Sequence, residues 1–542
     1  MSNPCTLCLA QKLNAQKEWQ DQYLSLPCRS LNRHGLIAGA TGTGKTVSLR
    51  VLAEAASDAG INVFLPDIKG DLSGLGLSGG EDPSIQQRAE ALTDGVQWAP
   101  KAFPVRFWDV FQKSGIPLRA SVSEFGPVLL ARALGLNETQ EAVLTICFQL
   151  ADDESWLLLD LEDLRALLHY VSEHAKELAP RYGHIATASV ASIQRRLLQL
   201  ETQGGGEFFT EPGLQIEDLL VQSSDGRGLI NVLDARQLFA QPLLYSTLLF
   251  WLLASLYEHL PEQGDQEKPK MLFFFDEAHL LFTELSPALL QRLVQMVRMI
   301  RSKGVGVFFV TQHPKDLPED IAAQLGHRIQ HSLRAFTPAE LRAVQAAADS
   351  LRSNPNFDTR EEILHLATGQ ALLSYLQEDG TPSEVELVSI LPCCSALMPM
   401  SDEERLKRIV ADPLYDRYAE RVNPESAHEI LNARWQQKAE EAQAEADENA
   451  RQKAQKEQEA EQARQAKLAA AQARQAAAEE RREAAEARRQ AQEQARIEKE
   501  KAKQAQKQTE WLRRMTNSAV SAVGREVGRS IIRGILGTFT RR

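Results

Sequence analysis

Residues 39–46 read Gly39-Ala40-Thr41-Gly42-Thr43-Gly44-Lys45-Thr46, the G-x-x-x-x-G-K-[ST] spacing of a phosphate-binding P-loop. Each residue type has a task there. Glycines let successive backbone N–H groups turn inward onto phosphate oxygens. Lys45 brings a point charge to the β- and γ-phosphates, and the Thr46 hydroxyl is a ligand for Mg2+. A second pattern adds hydrolysis. Met271-Leu272-Phe273-Phe274-Phe275-Asp276-Glu277 is an apolar run ending in two acids, the Walker B pattern. Asp276 is placed to hold Mg2+ and Glu277 to take a proton from the attacking water. A third candidate is Gln312, at the polar end of the apolar run 304–311. If its strand lies beside the Walker B strand, its amide stands next to the γ-phosphate and can sense it. ATP and Mg2+ are the expected ligands.

These residues need a rigid frame. The run Gly35-Leu36-Ile37-Ala38 predicts a strand before the P-loop, and Leu49, Leu52 and Ala53 mark one face of a helix after it. Ile61-Asn62-Val63-Phe64-Leu65 predicts a second strand, leading into Asp67-Ile68-Lys69-Gly70-Asp71. Strand and helix in alternation imply a parallel sheet, so the fold class is α/β. Further strands are expected at 103–108, 228–234 and 327–333, and a hairpin at 369–391 turning at Asp379-Gly380-Thr381-Pro382. An amphipathic helix is expected at about 286–302, and helical periodicity dominates 120–220, which reads as an insertion separating the two phosphate-site motifs.

The resulting organisation is a short N-terminal segment (1–30) without assigned elements, and a core in two parts (31–119 and 221–395) around the helical insertion (120–220). A helical linker (396–434) follows. Residues 435–512 are rich in Ala, Gln, Glu, Lys and Arg without Pro or Gly, which predicts a long solvated helix lacking a leucine heptad. Residues 513–542 combine Arg513, Arg514, Arg525, Arg529, Arg533, Arg541 and Arg542 with Val520, Val523, Val527, Ile531, Ile535 and Phe539 at helical spacing. This basic amphipathic helix has three open destinations: the body of the protein, its own copy, or a nucleic-acid or lipid surface.

Composition narrows the partners. The chain has 542 residues, 43% of them hydrophobic, and a net charge of −12, so it is no bulk polycation and any nucleic-acid contact must be local. Six cysteines, Cys5, Cys8, Cys28, Cys147, Cys393 and Cys394, are too sparse for a disulfide framework and read as reduced thiols. Cys5 and Cys8 form a lone C-x-x-C with no clear fourth ligand for zinc. The uncharged stretch 237–257 approaches a membrane span of roughly 20 residues. It contains Gln241, Pro242, Ser246 and Thr247 and lies between two expected strands, so it reads as a buried helix. With no signal peptide or membrane span apparent, a cytoplasmic protein is expected.

The stretch from Arg33 to Thr46 resembles the P-loop of the HerA/FtsK superfamily of motor ATPases, and in particular its HerA-like branch known as DUF853. Further matching stretches are Asp67-Ile68-Lys69-Gly70-Asp71, Phe275-Asp276-Glu277-Ala278-His279, Val310-Thr311-Gln312-His313-Pro314 and Asp412-Pro413-Leu414-Tyr415-Asp416-Arg417-Tyr418. The resemblance implies a RecA-like fold assembled as a ring, usually a hexamer, with ATP at subunit interfaces and DNA in the pore. It also implies an arginine finger just before the strand that ends at Gln312. Arg301 falls there, with Arg298 one turn earlier as the fallback, and Asp71 falls where the family carries an acid after the second strand. The β-barrel that precedes the motor in HerA itself has no counterpart in the 30 residues before the P-loop strand, so coupling to DNA-end resection is not implied. A protein client held by the C-terminal helix is the alternative to DNA.

Overall fold

In a computed structural model the described residues are 5–92, 98–264, 266–282, 285–377 and 379–500. They contain one twelve-stranded sheet, ordered β2-β1-β12-β11-β10-β3-β9-β8-β4-β7-β5-β6. The strands are β1 (Thr6–Leu13), β2 (Trp19–Pro27), β3 (Gly35–Ala38), β4 (Asn62–Asp67), β5 (Val105–Asp109) and β6 (Ile116–Pro117), followed by β7 (Ile230–Asp234), β8 (Met271–Phe275), β9 (Val305–Thr311), β10 (His327–Gln330), β11 (Gln370–Ser374) and β12 (Glu386–Ile390). From β10 across to β6 every pairing is parallel, and from β10 out to β2 every pairing is antiparallel.

The central strands β3, β4, β8 and β9 are buried along their whole length. A strand covered on both faces has no reason to alternate, which is why the middles of these runs are apolar, with polar residues such as Asn62, Asp67 and Thr311 kept to their ends. Aromatic rings tie them crosswise: Phe64 stacks on Phe273, Phe274 on Phe308, and Phe275 on Phe309, with centroids 4.9, 5.4 and 5.3 Å apart. Gly35 makes room for this ladder, since a Cβ there would stand 2.2 Å from the Phe308 ring.

The P-loop helix Lys45–Asp58 crosses from β3 to β4, three positions along the sheet, leaving β9 and β8 between them. The insertion between β6 and β7 contains Val122–Ala133, Glu138–Glu154, Leu161–Glu173, Ala175–Tyr182 and Thr187–Thr202, as periodicity predicts. Reciprocal capping at Ser121/Glu124, Asn137/Gln140 and Asp160/Asp163 fixes where three of these helices begin. The stretch 237–257 yields the helix Pro242–His259, buried against the core, and no helix among the described residues is long and apolar enough to cross a membrane. Arg132 secures it by donating to Ser246 Oγ at 3.0 Å and Thr247 Oγ1 at 3.1 Å.

Three places differ from the sequence reading. Residues 1–30 are not featureless, because β1 and β2 form a hairpin that extends the sheet through β12. Its signal is the alternation of Leu7, Leu9 and Leu13 and of Leu24 and Leu26, all buried. Cys5 and Cys28 are not reduced thiols. They are joined as a disulfide, their Cα atoms 5.4 Å apart where the hairpin's outer ends meet. The long helix starts at Ala427, before the change in composition, because Ala427 and Leu431 still pack into the core.

The chain divides into two compact units, Met1–Lys438 and Ala439–Arg542. In the second unit the described side chains are exposed all round the helix, which runs to Glu500. The basic amphipathic segment 513–542 lies outside the described residues. The Asp412–Tyr418 stretch acts as a fastener at the sheet's far side. Asp412 pairs with Arg106 of β5 at 2.8 Å, and Tyr418 Oη donates to Asp218 Oδ2 at 2.6 Å.

Candidate active site

The loops leaving β3, β4, β8 and β9 all lie at the C-terminal ends of these parallel strands, the side where α/β folds collect ligands. Lys45, Thr46, Asp67, Lys69, Asp71, Asp276 and Glu277 converge there around a narrow cavity of about 20 Å³.

The P-loop is held in shape by its surroundings. Gly39 N–H donates to Thr311 O, Ala40 N–H to Ser332 O, and Gly369 N–H to Thr43 O. Gly42 and Gly44 have φ of 80° and 115°, a conformation that L side chains avoid. The Lys45 ammonium donates to Gly39 O at 2.5 Å and Ala40 O at 3.1 Å. Burial lowers its pKa, while the Glu277 carboxylate acts to raise it. Under the loop, His331 Nδ1 donates to Gln370 O at 2.9 Å, leaving Nε2 to accept from Ser48 Oγ at 2.8 Å. Burial holds this imidazole neutral, with its pKa pushed down to about 4.

Asp276 follows β8 directly and is half-buried, and its Oδ1 accepts from Glu277 N–H at 2.9 Å. Burial, then repulsion from Glu277, pushes its pKa up to about 7, while Lys69 and Lys45 oppose the shift. Glu277 adopts φ of 50° in the turn that follows β8. The amide Nε2 of Gln312 lies 3.5 Å from Glu277 Oε1, and His279 Nδ1 lies 3.4 Å from Glu277 Oε2. Beside them, burial pushes the Asp67 pKa up to about 6, even though Gly70 and Leu72 N–H groups donate to it.

This site contains groups that sequence reasoning did not single out. Lys69 is a second cation facing Asp276. Tyr245, from the apolar helix Pro242–His259, donates its hydroxyl to Asp276 O at 2.9 Å and so fixes the turn carrying both acids. Lys69 lies within the stretch already matched by resemblance; nothing near Tyr245 in sequence signals its role.

Arg301 and Arg298 are not brought to this cavity. Both precede β9, at the opposite end of a seven-residue strand, and line a different concavity with Arg33. A seven-residue strand spans about 23 Å, so neither guanidinium reaches Lys45 of the same chain.

Oxygen donors and two lysines facing one cavity suit a phosphate chain with a hard cation. Among the described residues no group of three or more His, Cys, Asp or Glu is arranged to hold a metal alone. Mg2+ does not need one, since it shares its ligands between one or two protein oxygens, phosphates and water.

The sheet order, the glycine loop and the paired acids define a RecA-like P-loop ATPase. More specifically, the chain belongs to the family described as helicase HerA-like C-terminal, whose model matches residues 11–467. Among curated proteins it is similar to the DNA double-strand break repair helicase HerA of Saccharolobus solfataricus strain P2, at 21% identity over 354 residues, 65% of this chain. The chain spans 63% of that relative's length. Among solved structures it is similar to the plasmid coupling protein TrwB with a non-hydrolysable ATP analogue, at 15% identity and a TM-score of 0.49, covering 73% of this chain and 96% of that one. VirB4 of Thermoanaerobacter pseudethanolicus is 14% identical with a TM-score of 0.44, covering 72% of this chain and 97% of that one.

Proposed function

We propose that this protein hydrolyses ATP with Mg2+ and uses the energy as a cytoplasmic homo-oligomeric ring, a hexamer, that translocates or remodels DNA. The observation that carries the hydrolysis reading is the convergence of Glu277, Asp276 and Lys45 from adjacent strand ends on one cavity, with the Gln312 amide 3.5 Å from Glu277 Oε1. Backbone N–H groups of residues 39–46 cradle the phosphates, and Lys45 neutralises the β- and γ-phosphates. Thr46 and Asp276 would hold Mg2+, which supplies charge neutralisation on the phosphate oxygens. Glu277 accepts the proton of the attacking water, Gln312 orients its carboxylate and reads the γ-phosphate, and Asp71 is a supporting acid. Arg301, remote from its own P-loop, acts on the γ-phosphate of a neighbouring copy.

Steady-state ATPase rates with and without single- and double-stranded DNA test this reading. DNA should stimulate the rate in a salt-sensitive way, and Glu277→Gln should lower kcat by at least a hundredfold while ATP still binds. A rate unchanged by Glu277→Gln would sink the hydrolysis assignment. A mutant-sensitive rate indifferent to DNA favours a second reading, a protein or membrane-associated client. The long helix, whose described side chains from Ala439 onward are exposed on all sides, is a ready platform and supports that alternative.

A further inference from the structure

The N-terminal ends of β3, β9 and β10, opposite the P-loop, border a concavity of about 560 Å³. That is the size of a small-molecule site, about 300–1,000 Å³. Five arginines line it, Arg33, Arg298, Arg301, Arg328 and Arg352, against one acid, Asp349. They come from separate elements. Arg33 ends the turn before β3, Arg298 and Arg301 close the helix Pro287–Ile300, Arg328 belongs to β10, and Arg352 follows the helix Pro338–Asp349. A solvated run of charge along one helix does not produce such convergence.

Counterions are scarce. Arg352 lies 3.9 Å from Glu384, but among the described residues Arg33, Arg298, Arg301 and Arg328 have no ion-pair partner. Arg328 is half-buried, with Nη2 donating to Ala322 O at 2.9 Å and burial lowering its guanidinium pKa. A guanidinium withdrawn from water without a carboxylate costs free energy that an entering anion offsets. Helix C-termini support Arg298 and Arg301, and Arg33 ends the short 3-10 helix Cys28–Arg33, but Arg328, on a strand, has no such support.

The frame is rigid. His34, behind Arg33 and Arg301, donates from Nε2 to Val297 O at 2.7 Å and accepts at Nδ1 from Val307 N–H at 3.0 Å. This pegs the arginine-bearing helix to β9. Planar guanidinium forks match phosphate oxygens in pairs. A concave site of this size fits a compact chain of phosphates better than a duplex, which presents its charges along a stripe.

We propose that this arginine cavity is a second binding site, independent of the P-loop, for a di- or triphosphate group. It goes beyond the hydrolysis reading, because it requires neither Lys45 nor Glu277. The ligand is a polyphosphate free in solution; the nucleotide of a neighbouring copy is the rival source that the experiment separates from it.

Calorimetric titration of the full chain with inorganic tripolyphosphate tests it, with the assembly state followed by sedimentation. Two sites are expected in the wild type, one in Lys45→Ala and one in Arg33→Ala/Arg298→Ala. Arg298→Ala alone, at an exposed side chain, guards against misfolding and should weaken the second site at least tenfold. Binding by monomeric Lys45→Ala chains identifies free phosphates as the ligand. Loss of all binding in Lys45→Ala, or two sites persisting in the arginine variant, overturns the proposal. So does binding confined to ATP-loaded assemblies with Lys45 intact, which assigns the cavity to the neighbour's nucleotide alone. The hydrolysis reading fails separately, on the Glu277→Gln rate.

Discussion

Tyr245 shows how a single residue outside any motif shapes the site. Its phenol is buried, its pKa is held well above the ordinary value by burial, and it donates to Asp276 O. Tyr245→Phe keeps the ring and removes that bond, so kcat should fall about fivefold, for roughly 1 kcal/mol, with little change in melting temperature. Equal losses of activity and of folded protein would mean the hydroxyl serves the fold instead. Three buried histidines set a second prediction. His34, His327 and His331 are held neutral by burial, their pKa values lowered from 6.5 to about 4. The unfolded chain therefore binds more protons between those values. The stability they contribute is complete above pH 6.5 and is lost as pH falls toward 4. From pH 7.5 to 5.5 each should cost about 1.4 kcal/mol of unfolding free energy, read as a falling urea midpoint. A midpoint that stays level over that interval would show that these rings are solvated or paired.

At the scale of elements, loops from non-neighbouring segments brace the P-loop helix. Glu54 accepts from Cys394 and Ser395 N–H groups at 2.8 and 3.1 Å, and Arg50 Nη1 donates to Asp71 O at 3.1 Å. These contacts tie the helix to the chain beyond β12 and to the loop after β4. The N-terminal hairpin is fastened differently, by Cys5–Cys28 across 23 residues. Closing a loop of that length is worth about 3 kcal/mol. Cys5→Ser, or reductant added to the wild type, should lower stability by about that amount in denaturant melts and leave Cys5→Ser insensitive to reductant. Identical melts with and without reductant would show that the bridge does not form in solution. Because reducing compartments disfavour such bonds, the same experiment bears on where the protein works.

At the scale of the whole molecule, the sheet separates two chemistries onto opposite ends of its central strands: the P-loop and acids at the C-terminal ends, Arg301 and its neighbouring arginines at the N-terminal ends. On the reading proposed above, Arg301 serves the nucleotide of a neighbouring copy. Arg301→Ala should therefore bind ATP normally and hydrolyse it at least a hundredfold more slowly. Mixing it with Lys45→Ala chains, each inactive alone, should restore a measurable rate. If mixed assemblies form and stay inactive, the role of Arg301 between copies is wrong.

Much was determined by sequence alone. The glycine spacing of residues 39–46 and the acids closing the run 271–277 follow from local backbone and strand chemistry, the helical insertion from periodicity, and the buried helix from an uncharged apolar stretch set between two strands. Local rules reach no further than neighbouring residues. Strand order, and with it the meeting of Gln312 and Glu277, is a long-range property, as are the pairing of Cys5 with Cys28, the convergence of five arginines, and the hydrogen bond from Tyr245. Each joins residues whose contact is created by burial of the sheet, because the free energy that places them is that of the whole core rather than of any segment.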